Sequence, residues 1–266
     1  MSRKKEYVLI LGVSSGFGKA IATAYAKEGY DIYGVHLDLG KAGAEVNELC
    51  ESLKKQYGVN VTFFNGNAAA DEKRQEVIAH ITQTESKHKM HSLIHSLAFG
   101  ALKPFIANDH TEMLTKKQTE MTMDVMANSL VYWSQDCFKA NMFAVNSKIF
   151  AMTSIGSTRA TVSYGAVSAA KAALESYIRQ LAVEMGPFKI SANAILAGVT
   201  DTPAARKIPR FESMIERTKN YNPYKHNTTP ELVAKAVIML SNPDYYFING
   251  QTIAVDGGEN ILNFAE

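Results

Sequence analysis

Cysteine is nearly absent from this chain of 266 residues: Cys50 and Cys137 are the only two. Two thiols cannot build a disulfide framework or a cysteine-rich zinc site, and no metal is expected. Both fall in helix-like patterns, which fits free thiols in a reducing compartment, so a cytoplasmic location is expected. No apolar run approaches the ~20 residues of a bilayer span. The basic start, Met1-Ser2-Arg3-Lys4-Lys5, leads into Tyr7–Leu11, which is too short for a signal-peptide core. No membrane partner is therefore expected. An excess of charge is missing too: Lys+Arg 28 against Asp+Glu 26 leaves +2, too weak a field to gather nucleic acid or anionic lipid. No repeat, linker or low-complexity segment divides the chain. One large domain of this length can bury its own core, so residues 1–266 are read as a single α/β domain.

What is present is an alternation of short apolar runs with long amphipathic stretches. Strands are expected at Tyr7–Leu11, Ile32–Leu37, Val59–Phe64, His91–Leu97, Lys148–Met152, Ser191–Leu196 and Thr252–Val255. Helices are expected at Gly16–Glu28, Lys41–Tyr57, Glu72–His88 and Ser163–Met185, with at least one more before Ala140; Gly186-Pro187 stops the long one. Repeated β-α-β units imply a parallel, doubly wound sheet of about seven strands with helices on both faces. Right-handed crossovers put the strands' carboxyl ends on one edge, where a ligand should lie. Ala197–Asn227 reads as the least regular segment and is rich in Thr, Pro, Arg and Lys. Its length suits a substrate-binding loop over 198–227 or a plain surface excursion.

Gly12-Val-Ser14-Ser15-Gly16-Phe17-Gly18 follows the first strand and opens the first helix. Gly12 permits a tight exit from the strand. Gly16 lets backbone approach a pyrophosphate, and Gly18 lets helix pack on strand. Helix N–H groups and the helix dipole favour the phosphate charge. At the end of the second strand an acid would select NAD and a base NADP. His36, Asp38 and Lys41 stand there, and these signals conflict: the cofactor is read as NADH or NADPH, with His36 equally a surface-turn residue.

Tyr164 and Lys171 lie seven residues apart on the long helix. At about 3.6 residues per turn they face one way, with an axial rise of ~10 Å. A phenol can give a proton to a developing oxyanion, and a nearby ammonium would lower its pKa. The alternative is two unrelated surface residues.

At these residues the chain resembles the short-chain dehydrogenase/reductase family over nearly its whole length, and within it the enoyl-acyl-carrier-protein reductases. Commoner members carry Tyr-x3-Lys, whereas those reductases carry the Tyr-x6-Lys of Tyr164 and Lys171. They also carry something like His-Ser-x-Ala-Phe after the fourth strand, as in His95-Ser96-Leu97-Ala98-Phe99. The ending Gly250-Gln-Thr-Ile-Ala-Val-Asp-Gly-Gly258 is similar to the family's last strand and the turn near the cofactor. The resemblance implies a Rossmann-type fold, with Gly12, Ser14, Ser15, Gly16, Phe17, Gly18, His36, Asp38, Asn67, Ala68, Ser96, Leu97, Ala98, Lys171, Gly198, Val199, Thr200 and Thr202 around the cofactor. It also implies a homotetramer.

Three departures stand out. Ser154 occupies the place of a second tyrosine, ten residues before Tyr164; it is either a substrate-binding hydroxyl or a sign of carbonyl chemistry. The usual asparagine of the fourth helix is missing, with Asn128 only nearby. Ala197-Gly198 replaces Pro-Gly. The reaction implied is reduction of a trans-2-enoyl thioester of acyl-carrier protein or CoA, with Tyr164, Lys171 and Ser154 catalytic. Phe99, Ser154, Tyr164, Ile208 and Phe211 are the expected substrate contacts, and Met152, Met214 and Ile215 are further apolar candidates. Arg206, Lys207 and Arg210 would meet an acidic carrier or a phosphate, or form a solvated basic face. A carbonyl reductase on the same scaffold and a non-catalytic dinucleotide-binding regulator are the alternatives.

Overall fold

The computed structural model describes residues 6–262. Seven parallel strands form one sheet in the order β3-β2-β1-β4-β5-β6-β7. They are β1 (Glu6–Leu11), β2 (Asp31–His36), β3 (Val61–Asn65), β4 (Lys89–His95), β5 (Phe143–Ser154), β6 (Ser191–Ala197) and β7 (Thr252–Val255). The central strands are buried on both faces, as a covered parallel sheet requires, and β1 reads as an apolar run from Tyr7 to Leu11.

Helices α1 (Gly16–Lys27), α2 (Lys41–Tyr57) and α8 (Pro230–Ser241) cover one face. Ile21, Tyr25, Leu53 and Val237 pack there on Val8, Ile10 and Phe150. On the other face lie α3 (Asp71–Thr84), α4 (Lys116–Met123), α5 (Ser129–Lys139) and α6 (Gly165–Met185). Ile81, Trp133 and Leu174 bury themselves there against Leu9, Leu93 and Ile149. The chain runs outward from β1 through β3, then returns to place β4 on the other side of β1. That reversal opens a crevice at the carboxyl ends of β1 and β4, where ligands of such sheets bind.

The observed elements sharpen several expectations. The third strand is Val61–Asn65 rather than Val59–Phe64. The fifth begins earlier, at Phe143, which pairs with Met90; the register then jumps to Ser92↔Lys148 across Asn146, whose φ is 63°. The region before Ala140 holds two helices, α4 and α5, joined by a π-helical turn over Asp124–Asn128. A Thr115–Gln118 capping box opens α4.

Residues 198–227 are not a plain loop. They contain α7 (Phe211–Tyr221), whose buried Phe211 and Thr218 lie two turns apart on one face. The α8 helix lies outside the elements expected from sequence. Its signal was there: Thr229 caps the Leu232 N–H, Pro230 sits in the first turn and Glu231 follows.

Candidate active site

The crevice holds two adjoining cavities. One, of ≈ 330 Å³, follows the glycine loop. Gly12 leaves β1 at a φ of +88°, and at Gly18 a Cβ would lie 1.9 Å from the Gly12 carbonyl oxygen. Gly18, expected around the cofactor, does not line this cavity; its lack of a Cβ lets α1 press on the Gly12 carbonyl behind it. Ser15, the residue before α1, makes no side-chain capping bond, and the first turn holds no acid. The opening N–H groups of α1 therefore face the cavity unclaimed by a cap, the arrangement that suits a pyrophosphate.

Gly12, Ser14, Ser15, Gly16, Phe17, His36, Asp38, Asn67, Ala68, Ser96, Leu97, Ala98 and Thr202 all line this cavity. Its far end is set by β2. His36 is buried rather than a surface-turn residue, and its Nδ1 lies 3.0 Å from Asp38 Oδ2. Asp38 is held in turn by Asn65, whose Nδ2 donates to the Asp38 carbonyl at 2.7 Å. An adenosine ribose would meet this acid–imidazole pair. The cradle thus fits a dinucleotide, and the same residues would hold it.

The second cavity, of ≈ 260 Å³, shares Phe17, Ser96, Leu97, Ala98, Phe99, Thr202 and Lys207 with the first and continues to Ser154, Tyr164 and Lys171. Gly198, Val199, Thr200, Ile208, Phe211, Met152 and Met214 close it with largely apolar surface. Ile215, a candidate for the same wall, does not line it.

The α6 helix begins at Gly165, not Ser163, because Ser163 adopts a φ of 62°. Tyr164 is consequently the residue before the first turn, and its ring reaches the cavity from the helix entrance. Lys171, two turns on, is buried; its Nζ donates to the Met152 carbonyl at 2.7 Å and to that of Leu97 at 3.5 Å. Burial pulls its pKa down to about 8, with Glu175 pushing the other way.

The expected lowering of the tyrosine pKa by the lysine does not hold here. Burial raises the Tyr164 pKa, and the only group pulling it back is the Ser154 hydroxyl. The cause is geometric: two backbone carbonyls engage the ammonium, and the serine stands beside the phenol. Ser154 Oγ is itself buried with no bond of good geometry. The two groups are neighbours whose contact falls short of a well-formed hydrogen bond.

The family model described as Enoyl-(Acyl carrier protein) reductase matches residues 12–260. The chain belongs to that family, within the short-chain dehydrogenase/reductases. It is 28% identical over 253 residues to the NADH-dependent enoyl-acyl-carrier-protein reductase FabI of Neisseria meningitidis, covering 91% of this chain and 95% of that one. Its fold matches the NADH-dependent enoyl-acyl-carrier-protein reductase of Aquifex aeolicus with a TM-score of 0.84 at 23% identity, over 98% of both chains. It matches a 3-oxoacyl-acyl-carrier-protein reductase of Brucella melitensis, solved with NAD, at 0.83 and 22% identity, over 99% of this chain and all of that one (100%). At such identity these two structures bear on fold alone. Family membership makes the protein an oxidoreductase that uses a nicotinamide cofactor.

Asn128 lines neither cavity and accepts a hydrogen bond from the Tyr177 hydroxyl at 3.0 Å. At the end of β4, His95 Nε2 lies 2.9 Å from Ser129 Oγ. Ser129 already donates to the Val125 carbonyl at 2.8 Å, so the imidazole nitrogen is the donor of that pair. Burial first, and nearby Lys171 second, push His95 down to about 3, which keeps it neutral.

Of the three basic residues after β6, Lys207 lines both cavities, whereas Arg206 is held by Asp201 through contacts of 2.6 and 2.8 Å. Among the described residues, sequence reasoning missed Thr153, whose hydroxyl donates to Glu175 at 2.6 Å, and Glu259. Neither carried a motif. Both became visible only through partners distant in the chain.

Proposed function

We propose that this protein reduces the C2=C3 double bond of trans-2-enoyl thioesters carried by acyl-carrier protein or CoA. One observation carries the reading: Tyr164, Lys171 and the Gly198–Thr202 strip line one apolar cavity that adjoins the glycine-loop cavity. NADH or NADPH, when bound there, supplies the hydride. Tyr164 donates a hydrogen bond to the thioester oxygen, which stabilises charge that collects there late on the path. A pKa raised by burial keeps the phenol protonated near neutrality and so ready to donate. Lys171 spends two N–H bonds on the Met152 and Leu97 carbonyls and keeps a third for a ribose hydroxyl. Phe99, Ile208, Phe211 and Met214 exclude water and take up the acyl chain. Lys207 stands where a carrier's phosphate would approach. A homotetramer, as the resemblance implies, completes the reading.

A second reading, reduction of a ketone, is favoured by Ser154: a serine and a tyrosine hydroxyl side by side suit a carbonyl oxygen. Cofactor consumption with crotonyl and acetoacetyl thioesters separates the two. Turnover of the crotonyl thioester is expected, and activity confined to the ketone ends the enoyl assignment. Tyr164→Phe is expected to lower kcat by about 100-fold or more while cofactor affinity holds. Normal turnover by that variant removes the proton-donor role.

A further inference from the structure

Glu259 lies in the turn after β7 and lines neither cavity, yet it is buried to 9% exposure. Both of its carboxylate oxygens meet one backbone group: Oε2 accepts the Val199 N–H at 3.0 Å and Oε1 lies at 3.3 Å. Val199 belongs to the strip that walls the substrate cavity. The neighbouring residue is pinned from the same side. A Cβ at Gly198 would stand 2.6 Å from Glu259 Oε2, 2.4 Å from Thr228 Oγ1 and 3.0 Å from Asp256 Cβ. The strip therefore rests directly on the acid, with no side chain between them.

The turn that carries Glu259 is itself built for rigidity. Asp256 accepts the N–H of Gly258 and that of Asn260, each at 2.9 Å. It is tied to two other walls of the cavity. Asn222, which ends α7, donates through Nδ2 to the Asp256 carbonyl at 2.8 Å. Arg159, which lines the cavity after β5, donates to the Asn260 carbonyl at 2.6 Å. Burial pushes the Glu259 carboxyl up, whereas the Val199 N–H and Arg159 pull it down.

We infer that Glu259 is a positioning residue for the reaction: its carboxylate clamps the Val199 N–H and so fixes the Gly198–Thr202 strip against which the nicotinamide end of the cofactor lies. A charge-assisted bond from a buried carboxylate to a backbone N–H is among the stronger ones available to a loop. Without it, the Val199 N–H has no other acceptor among the described residues, and the cofactor meets a wall that must be ordered on binding. The inference rests on the nicotinamide-dependent reading above.

The test uses Glu259→Ala and Glu259→Gln in the full chain. The glutamine keeps an oxygen that can accept the Val199 N–H, whereas alanine removes the acceptor. NADH and NADPH affinity is read directly by fluorescence titration without substrate, and kcat and KM are then taken with crotonyl-CoA. Alanine is expected to weaken cofactor binding and raise the cofactor KM by about tenfold, with glutamine restoring most of the loss. Circular dichroism and the thermal midpoint show whether each variant is folded. A folded alanine variant that binds cofactor as the parent does overturns the inference, as does a folded glutamine variant as impaired as alanine. If alanine fails to fold, glutamine decides: native affinity supports the clamp, and a tenfold loss in a folded protein overturns it. A parent protein that binds neither cofactor instead overturns the nicotinamide reading itself, a different result from two variants that bind equally well.

Discussion

Two buried lysines, one near each end of the sheet, face the same physical problem and solve it differently. Lys171, at the carboxyl edge, and Lys148, toward the amino end of β5, are both nearly sealed from water, and burial pulls both pKa values to about 8. Lys171 has two carbonyl acceptors and a cavity in front of it. Among the described residues, Lys148 Nζ has no hydrogen-bonding partner. It pairs in register with Ser92 and Ser191. Parallel register puts these three side chains on one face, the face on which the Tyr25 hydroxyl donates to Ser92. Burial alone therefore does not make a lysine functional. The acceptors that hold it, and the opening toward which it points, distinguish the two regions.

The largest effect should come from the partnered lysine. Lys171→Met is expected to cut kcat/KM by about 100-fold or more and to weaken cofactor binding, since it removes the ribose contact proposed above. Steady-state kinetics with titrated cofactor checks this, and near-native turnover erases the contrast drawn above. The unpartnered lysine should act on stability instead. A fall from the ordinary 10.5 to about 8 corresponds to about 3 kcal/mol of charging cost in the folded state. Lys148→Met, similar in volume and apolar, is expected to recover much of that and raise Tm by several degrees with kcat unchanged.

The sign of the pH dependence follows. Between pH 8 and 10.5 the unfolded chain holds a proton that the folded Lys148 has given up, so stability rises with pH across that window. Below pH 8 both states are protonated and this lysine's contribution stays flat. Urea melts at pH 8 and 9.5 should show stability changing less favourably with pH in Lys148→Met than in the parent, against a background that both share, to which Lys171 adds and from which the buried Cys137 thiol, pushed up by burial, subtracts. Equal slopes would mean that Lys148 is charged and satisfied in solution. The smallest effect should belong to an exposed cation: Arg206→Ala breaks the pair with Asp201 at the surface, where such pairs contribute little, and should leave Tm unmoved in a thermal melt.

Much of the site was legible because its signals are local. Gly12 to Gly18 form one continuous loop whose spacing specifies both a phosphate cradle and a helix contact: Gly12, Ser14, Ser15, Gly16 and Phe17 line the cavity, and Gly18 packs behind it. Tyr164 and Lys171 were readable from helical period, although the phenol sits one step before the helix. Their electrostatics were not legible: which group stands beside the phenol depends on where β5 ends, and that brings Ser154 rather than Lys171 to it. The irregular appearance of 198–227 concealed α7, since a short helix with few buried positions gives a weak periodic signal. The tie from Glu259 to Val199 spans sixty residues, and no local pattern encodes it.

The sequence by itself determined the alternation of strand and helix, the doubly wound parallel sheet and the edge on which ligands gather. Apolar period, glycine spacing and crossover handedness act within a few tens of residues or follow from chirality. Only the tertiary structure decided the protonation setting of Tyr164, the isolation of Lys148 and the tie between Glu259 and the Val199 N–H. Those depend on desolvation and on hydrogen bonds between segments far apart in the chain, which come into being only when the sheet and its covering helices are assembled.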